Sequence, residues 1–245
     1  MNEEFNEVMN EASGTIEVPL TAEDINAFRI YADMLVEKNK VMNLTAITDD
    51  KGIAMLHFID SLTLVPYIRA EQQRSGKADI RITDVGTGAG FPGIPLKILN
   101  PDIDLTLMDS LAKRLKFLDE VCGALDLTRT ATVHGRAEDL GRNSRYREKF
   151  DVATARAVAS LPVLCEYCLP LVAPGGAFIA MKGHSEEEIK ASAHAVIELG
   201  GTIEKVDQFD LAGTDNRRSV IVIRKVRPTP AKYPRKAGVP SKSPL

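Results

Sequence analysis

The spacing of hydrophobic positions changes once along this chain. Through about residue 76 they recur every three or four residues, as on one face of a helix: Ile25, Phe28, Ala32, Leu35 and Val36 form such a stripe, opened by a capping-box-like pair at Thr21 and Asp24. A further helix is expected to begin near Asp49 or Asp50 and to run through Ile53, Leu56, Phe58, Ile59 and Leu62. That spacing puts His57, Asp60 and Ser61 on a shared face, a trio whose expected role is local hydrogen bonding in preference to metal or substrate contact. From residue 77 onward, short apolar runs alternate with amphipathic stretches. Ile80, Ile82 and Val85 read as a buried strand, DLTLMD (104–109) as a second, TATVHG (130–135) as a third and FDVATA (150–155) as a fourth. GAFIAMKG (176–183) reads as a fifth, introduced by Pro174-Gly175-Gly176, and KRLKFLDEVCGAL, LPVLCEYCLPLV and Ser185 through Leu199 read as helices between them.

Strands alternating with helices predict a parallel sheet in an α/β fold. TIEKVDQFD and RRSVIVIRK, with only the loop around Gly213 between them, stand too close for a helical crossover and predict an antiparallel hairpin closing the sheet. The expected organisation is a helical extension over residues 1–76, an α/β domain over 77–227 and a basic tail over 228–245.

The turn after the first strand is Asp84-Val85-Gly86-Thr87-Gly88-Ala89-Gly90-Phe91-Pro92-Gly93. Several glycines in one βα turn cost chain entropy with no packing return, so the pattern points to a ligand held close to the backbone and the following helix N-terminus. Read from Gly88 it fits G-x-G-x-x-G, the dinucleotide fingerprint; read from Asp84 it fits acid-x-G-x-G-x-G, which begins at the strand end. Ligands of parallel sheets bind at the carboxyl ends of strands, where three acids fall: Asp84, Asp109 and Glu138. A pyrophosphate gains nothing from three carboxylates. S-adenosylmethionine offers an ammonium, a ribose diol and an adenine amine, all donors that carboxylates accept, and the acids favour it.

Composition narrows the class. The 245 residues are 44% hydrophobic and 27% charged, enough for one full core. The acidic beginning MNEEFNEVMNE has no signal-like apolar centre, and no uninterrupted apolar run suggests a bilayer span, so a cytoplasmic protein is expected. Three cysteines give no disulfide framework; Cys165 and Cys168 sit in an apolar helical pattern and read as core, and no metal partner is expected. The net charge of −3 hides an asymmetry: only acids precede Arg29, and only Lys and Arg follow Asp215. The basic end is read either as an RNA-phosphate contact, with Arg217, Arg218 and the tail, or as a solvated arm.

DVGTGAGFPGIPLKI, MDSLAKRLKFL, GRAEDL, ARAVASL, LVAPGGAFIAMKG and RRSVIVIRK resemble the bacterial ribosomal RNA small subunit methyltransferase G family, also called glucose-inhibited division protein B. NLTAIT at Asn43 to Thr48, HFIDSL at His57 to Leu62 and KYPRKAG in the tail are similar to it too. One departure is visible, since the segment before Asn43 carries Lys38-Asn39-Lys40 and the chain has no Trp, which the family usually has there. The resemblance implies a class I S-adenosylmethionine-dependent methyltransferase fold, Rossmann-like, and methyl transfer to guanine N7 in 16S rRNA, free or in an assembling small subunit, by a monomer. It carries cofactor contact to Gly86 and Phe91 in the loop, Asp109 with Ser110 and Leu111, Ala137, Glu138 and Arg156. Asp84, Gly88 and Gly90 belong to the same loop motif, with Asp84 suited to the methionine ammonium, Asp109 to the ribose diol and Glu138 to adenine. Arg156 suits the methionine carboxylate or an RNA phosphate; Arg156 and Lys182 are candidates for positioning the acceptor, and Phe91 for stacking on it. No general base is expected, since guanine N7 has no proton to lose. An NAD-dependent oxidoreductase and a noncatalytic RNA-binding assembly factor are the alternatives.

Overall fold

The computed structural model describes residues 3–245, so the first two residues of the expected helical extension lie outside the described residues. The extension opens with α1 (Glu3–Thr15) and α2 (Ala22–Met42). The capping box at the start of α2 is formed: Asp24 N donates to Thr21 Oγ1 at 3.2 Å and Thr21 N to Asp24 Oδ2 at 2.8 Å. Asp49 caps the next helix through Gly52 N at 2.7 Å. That helix runs through α3 (Asp50–Ile53), a π-helical turn at Ala54–Ile59 and α4 (Asp60–Leu62), and is followed by α5 (Val65–Ser75).

The stretch Asp50–Ser75 is long and apolar enough, by length and composition alone, to cross a membrane, but 67% of its apolar window is buried inside the protein. The sequence reading missed it because His57, Asp60, Ser61 and Thr63 interrupt the run. Those polar residues are satisfied by partners within the fold.

The α/β part contains β1 (Arg81–Val85), α6 (Gly93–Leu99), β2 (Asp104–Asp109), α7 (Ala112–Ala124), β3 (Thr130–His134), α8 (Ala137–Arg142) and β4 (Phe150–Arg156). It continues with α9 (Leu161–Cys168), β5 (Val172–Lys182), α10 (Glu186–Glu198), β6 (Gly201–Asp210), β7 (Arg217–Lys225) and α11 (Val239–Lys242). The seven strands lie in the order β3-β2-β1-β4-β5-β7-β6. β3 through β5 pair in parallel, and β7 is antiparallel to both β5 and β6. The expected hairpin is present, with its second strand inserted next to β5. The residue pattern explains the order: β7 is buried over Ser219–Lys225 and suits an interior position, whereas β6 alternates toward solvent and suits the edge. β5 starts at Val172, earlier than expected; Pro174-Gly175-Gly176 lies within it, where the β4–β5 register shifts between Phe150 and Val152.

Both sheet faces are covered. Ile82, Leu105, Leu107, Val152, Ile179 and Val222 pack beneath the N-terminal helices, so the extension shares its core with the sheet. Phe58 is its centre, with ring centroids of Phe28 at 5.0 Å, Tyr31 at 5.4 Å, Phe91 at 5.6 Å and Phe5 at 5.9 Å. Removing such a buried ring typically costs about 3 to 5 kcal/mol. On the other face, Val85, Ala153, Ala155, Phe178 and Ile221 pack with α9 and with Tyr233 of the tail.

The basic end is not a free arm, which corrects one of its two sequence readings. Arg218 binds Asp60, Arg217 binds Asp210, Arg224 binds Glu71 and Glu204, Lys232 binds Glu198 and Arg235 binds Glu166. Arg218, Arg224 and Arg235 neutralise buried carboxylates, and the sequence could not show it because Asp60, Glu71 and Glu166 lie in distant segments.

Candidate active site

The glycine turn leaves β1 and enters α6 with Gly86, Gly88 and Gly90 at φ +69°, +61° and +99°. Amide groups of Gly86 and Thr87 both donate to the Met108 carbonyl, at 2.8 and 3.0 Å, tying the turn to the end of β2. The glycines serve different ends. A Cβ on Gly86 would stand 2.7 Å from Val158 Cγ2, on Gly88 it would meet only the Gly86 carbonyl at an ordinary contact of 3.9 Å, and on Gly90 it would collide with Tyr31 Oη. Gly90 is therefore needed for packing on α2, where Tyr31 Oη also donates to the Ala89 carbonyl.

A cavity of about 250 Å³ opens beside this turn, lined among others by Gly86, Asp109, Ser110, Ala137, Glu138 and Tyr167, with Arg114 and Arg136 also on its wall. Asp109 is buried at the end of β2, accepting from Gly88 N at 3.0 Å and Leu111 N at 2.8 Å, with Arg114 Nη1 at 3.5 Å. Two oxygens with about four acceptor positions leave lone pairs for a ligand diol. Glu138, also buried, accepts from Gly238 N at 2.8 Å.

Other expected contacts fall outside that wall. Leu111 is exposed ahead of α7. Asp84 is fully buried beneath the turn, where its Oδ2 accepts from Thr87 Oγ1 at 2.7 Å and Gly93 N at 2.9 Å, while its Oδ1 has no partner. Burial raises the Asp84 carboxyl to about 6. Phe91 lies in the aromatic core, stacked with His57 at 4.6 Å and Tyr31 at 5.3 Å. A base could stack on it only by displacing those rings, so the ring is placed for packing and not for stacking on the acceptor.

Arg156, at the end of β4, belongs to a second cavity of about 340 Å³ lined by Leu56, His57, Asp60, Ala157, Lys182, Asn216 and Arg218 among others. Ala157 lines both cavities and holds φ +56°, an uncommon angle for a residue with a Cβ. Arg156 Nη1 donates to Asp60 Oδ2 and to the Leu56 carbonyl of the π-helical turn, both at 2.9 Å. Arg218 Nε donates to Asp60 Oδ1 at 2.7 Å. One carboxylate thus holds two guanidinium groups and leaves a net positive charge. Lys182 is paired with Glu188 at 2.9 Å and donates to the Ala159 carbonyl at 2.9 Å.

His57 connects this cluster to the extension. Arg156 Nη2 lies 3.2 Å from His57 Nδ1, and because a guanidinium only donates, Nδ1 is the acceptor and Nε2 carries the proton. Nε2 then donates to Thr45 Oγ1 at 2.8 Å, and Asn39 clamps Thr45 through Nδ2 to its carbonyl at 2.8 Å and Oδ1 from its amide at 2.9 Å. Asn39, in the segment that lacks the expected Trp, thus holds the loop that holds His57. Burial and the neighbouring Arg156 push the imidazole down to about 4. Sequence reading missed Thr45, Tyr167 and Val158, and it did not foresee that Arg218 pairs with Asp60 beside Arg156. The one available signal was the i, i+3 spacing of His57 and Asp60. Cys165 and Cys168 are buried, and among the described residues no group of three His, Cys, Asp or Glu side chains could hold a metal ion.

Comparison with known proteins bears on family and fold. A sequence model of the family described as rRNA small subunit methyltransferase G matches residues 24–219. The ribosomal RNA small subunit methyltransferase G of Acetivibrio thermocellus is 54% identical over 228 residues, covering 93% of this chain and 91% of that protein. Its namesake from Alkaliphilus oremlandii is 46% identical over 99% of both chains. Among solved structures, the CurJ carbon methyltransferase superposes with a TM-score of 0.58 at 17% identity, covering 84% of this chain and 67% of that one, a likeness of fold.

Proposed function

The chain belongs to the rRNA small subunit methyltransferase G family, and on that premise we propose that it methylates N7 of a guanine in the 16S RNA of the small ribosomal subunit, in the cytoplasm. Family and fold make S-adenosylmethionine the methyl donor and set aside the oxidoreductase alternative. When bound, that cofactor supplies an electrophilic methyl group on a sulfonium sulfur. The observation that carries the proposal is the meeting, at Ala157, of a cavity that holds the buried carboxylates of Asp109 and Glu138 with one that holds Arg156 and Arg218.

Asp109 is suited to the ribose diol, and Glu138 with the neighbouring Ala137 backbone to adenine. Asp84, buried beneath the turn and outside the cavity wall, is suited to holding the glycine loop through Thr87 and Gly93. Arg156 and Arg218, two guanidinium groups on the one carboxylate of Asp60, suit the second cavity to a nucleotide with its phosphates, whereas Lys182 is paired with Glu188 at its edge. Guanine N7 presents an outward lone pair, so positioning it in line with the methyl group is the main task. The buried cysteines offer no nucleophile, and His57, its Nδ1 already occupied by Arg156, is placed to hold that arginine. The test is to compare small-subunit rRNA from cells with and without this protein for N7-methylguanine, by reductive strand cleavage at the modified base. Loss of one such site is expected; an unchanged guanine pattern alongside a lost methyl on another base would refute the N7 assignment.

A further inference from the structure

The last eighteen residues are anchored to the two helices that wall the cofactor cavity. Arg235 donates to Glu166 of α9 from its backbone N at 2.7 Å, from Nε at 2.9 and 3.1 Å and from Nη2 at 2.6 Å, and Glu166 is fully buried. Tyr167, the next residue, lines the cavity. On α8, Pro234 packs so closely that a Cβ on Gly141 would come within 3.0 Å of its Cγ. Arg147 reaches the carbonyls of Gly141, Tyr233 and Thr229 at 2.9, 2.8 and 2.7 Å, binding the tail to the residues after α8. Gly238 then turns its amide onto Glu138 Oε1 at 2.8 Å, in a left-handed conformation with φ +82°.

We propose that residues 232–245 are a positioning element of the cofactor site, with Gly238 orienting the Glu138 carboxylate and Arg235 fixing the α9 wall through Glu166. The inference builds on the assignment of the cavity that holds Asp109 and Glu138 to S-adenosylmethionine. It gives the KYPRKAG motif a task other than RNA contact. The chemistry is simple: a buried carboxylate with one oxygen held by an amide has one orientation left for the ligand, whereas a free one must be ordered on binding. Glycine is required at 238 by the backbone angle, since a Cβ there would meet open space.

Three proteins test this: the chain ending at Lys236, full-length Gly238→Val and full-length Gly238→Asn. Asn tolerates the left-handed region and keeps the amide, whereas a β-branched residue does not tolerate it. Affinities for S-adenosylmethionine and for small-subunit RNA are measured calorimetrically, with circular dichroism as the check on folding. Losing a hydrogen bond to a charged group predicts cofactor binding about 10-fold weaker for the truncation and for Gly238→Val, with RNA affinity unchanged. Gly238→Asn should return to within about twofold of wild type. If the truncated chain does not fold, the Val and Asn pair decides. Gly238→Val binding the cofactor as tightly as wild type, or losing RNA affinity in parallel, overturns the inference. A wild-type protein that fails to bind the cofactor would instead overturn the cavity assignment beneath it.

Discussion

The two cavities that meet at Ala157 are built by opposite means. The proposed cofactor side is shaped by backbone: a turn whose amides bond the end of β2, next to Asp109 at the end of that strand and Glu138 in the helix after β3. The acceptor side is made of side chains that find each other across the chain, with Asp60 bonded to residues 96 and 158 positions away. A backbone site is sensitive to the addition of atoms, because its shape is the space left by missing Cβ groups. A charge cluster is sensitive to their removal, because each loss leaves a buried partner without its counterion.

The largest effect should come from adding one methyl group on the cofactor side. Gly86→Ala places a Cβ at 2.7 Å from Val158, on the cavity wall, at a backbone angle that L-residues avoid. Strain and displacement of about 2 to 3 kcal/mol translate into roughly 30- to 150-fold weaker S-adenosylmethionine binding, with the fold retained. Calorimetry with circular dichroism checks it; unchanged affinity in a folded variant removes the turn from the site. RNA affinity should stay within about twofold, which keeps the two cavities distinct.

Removing atoms on the acceptor side is the complementary test. Arg156→Met deletes the bonds to Asp60, Leu56 and His57 while Arg218 still neutralises Asp60. Methyl transfer at saturating cofactor should fall about 30-fold, within the range for breaking a buried charge pair, and cofactor affinity should change less than twofold. A large loss of cofactor affinity would return Arg156 to the methionine carboxylate, the role this geometry disfavours.

That contrast also decides how much could be read from the sequence. Gly86, Asp109 and Glu138 were legible because turn, strand end and acid are adjacent in the chain, so local chemistry implies the juxtaposition. Locality did not extend to the Phe91 ring: it sits inside the motif, but Tyr31, His57 and Phe58 from the extension pack against it and leave no free face for the acceptor. Arg218 and Arg235 looked like free cations because Asp60 and Glu166 lie in distant segments whose approach only the fold reveals. The strand order near β7 was implicit in its unbroken apolar run, a signal of two-sided burial that hairpin spacing alone does not use.

The two sides should respond to acid with opposite sign. His57 titrates near 4 when folded and near 6.5 when unfolded, so between those values the unfolded chain takes up a proton that the folded protein refuses, and acid favours unfolding. Asp84 titrates near 6 when folded and near 3.8 when unfolded, so the same acidification favours folding through that group. Urea denaturation of wild type and His57→Gln should show the wild type losing about 2 kcal/mol relative to the variant from pH 7 to pH 4. Against Asp84→Asn, the wild type should gain stability from pH 6.5 to pH 4. If neither difference moves with pH, the burial of both groups is misjudged.

The smallest expected effect is the one most specific to mechanism. If guanine N7 is the acceptor, the reaction has no proton to remove, and positive charge passes from the sulfonium to the purine without a base. In the acceptor cavity, the imidazole that composition would nominate has already lost its proton well below neutrality, and its accepting nitrogen is occupied by Arg156. Single-turnover methylation at saturating cofactor and RNA should therefore vary less than about twofold between pH 7 and 9. His57→Ala should keep that flat profile even where loss of the Arg156 contact lowers its height. Height and slope separate the two roles: a residue that holds Arg156 changes the first, and a general base changes the second. A wild-type rate that climbs tenfold per pH unit to a plateau, and flattens when one side chain is removed, would mean that a proton is being taken, and the acceptor would then be an exocyclic amine or a hydroxyl.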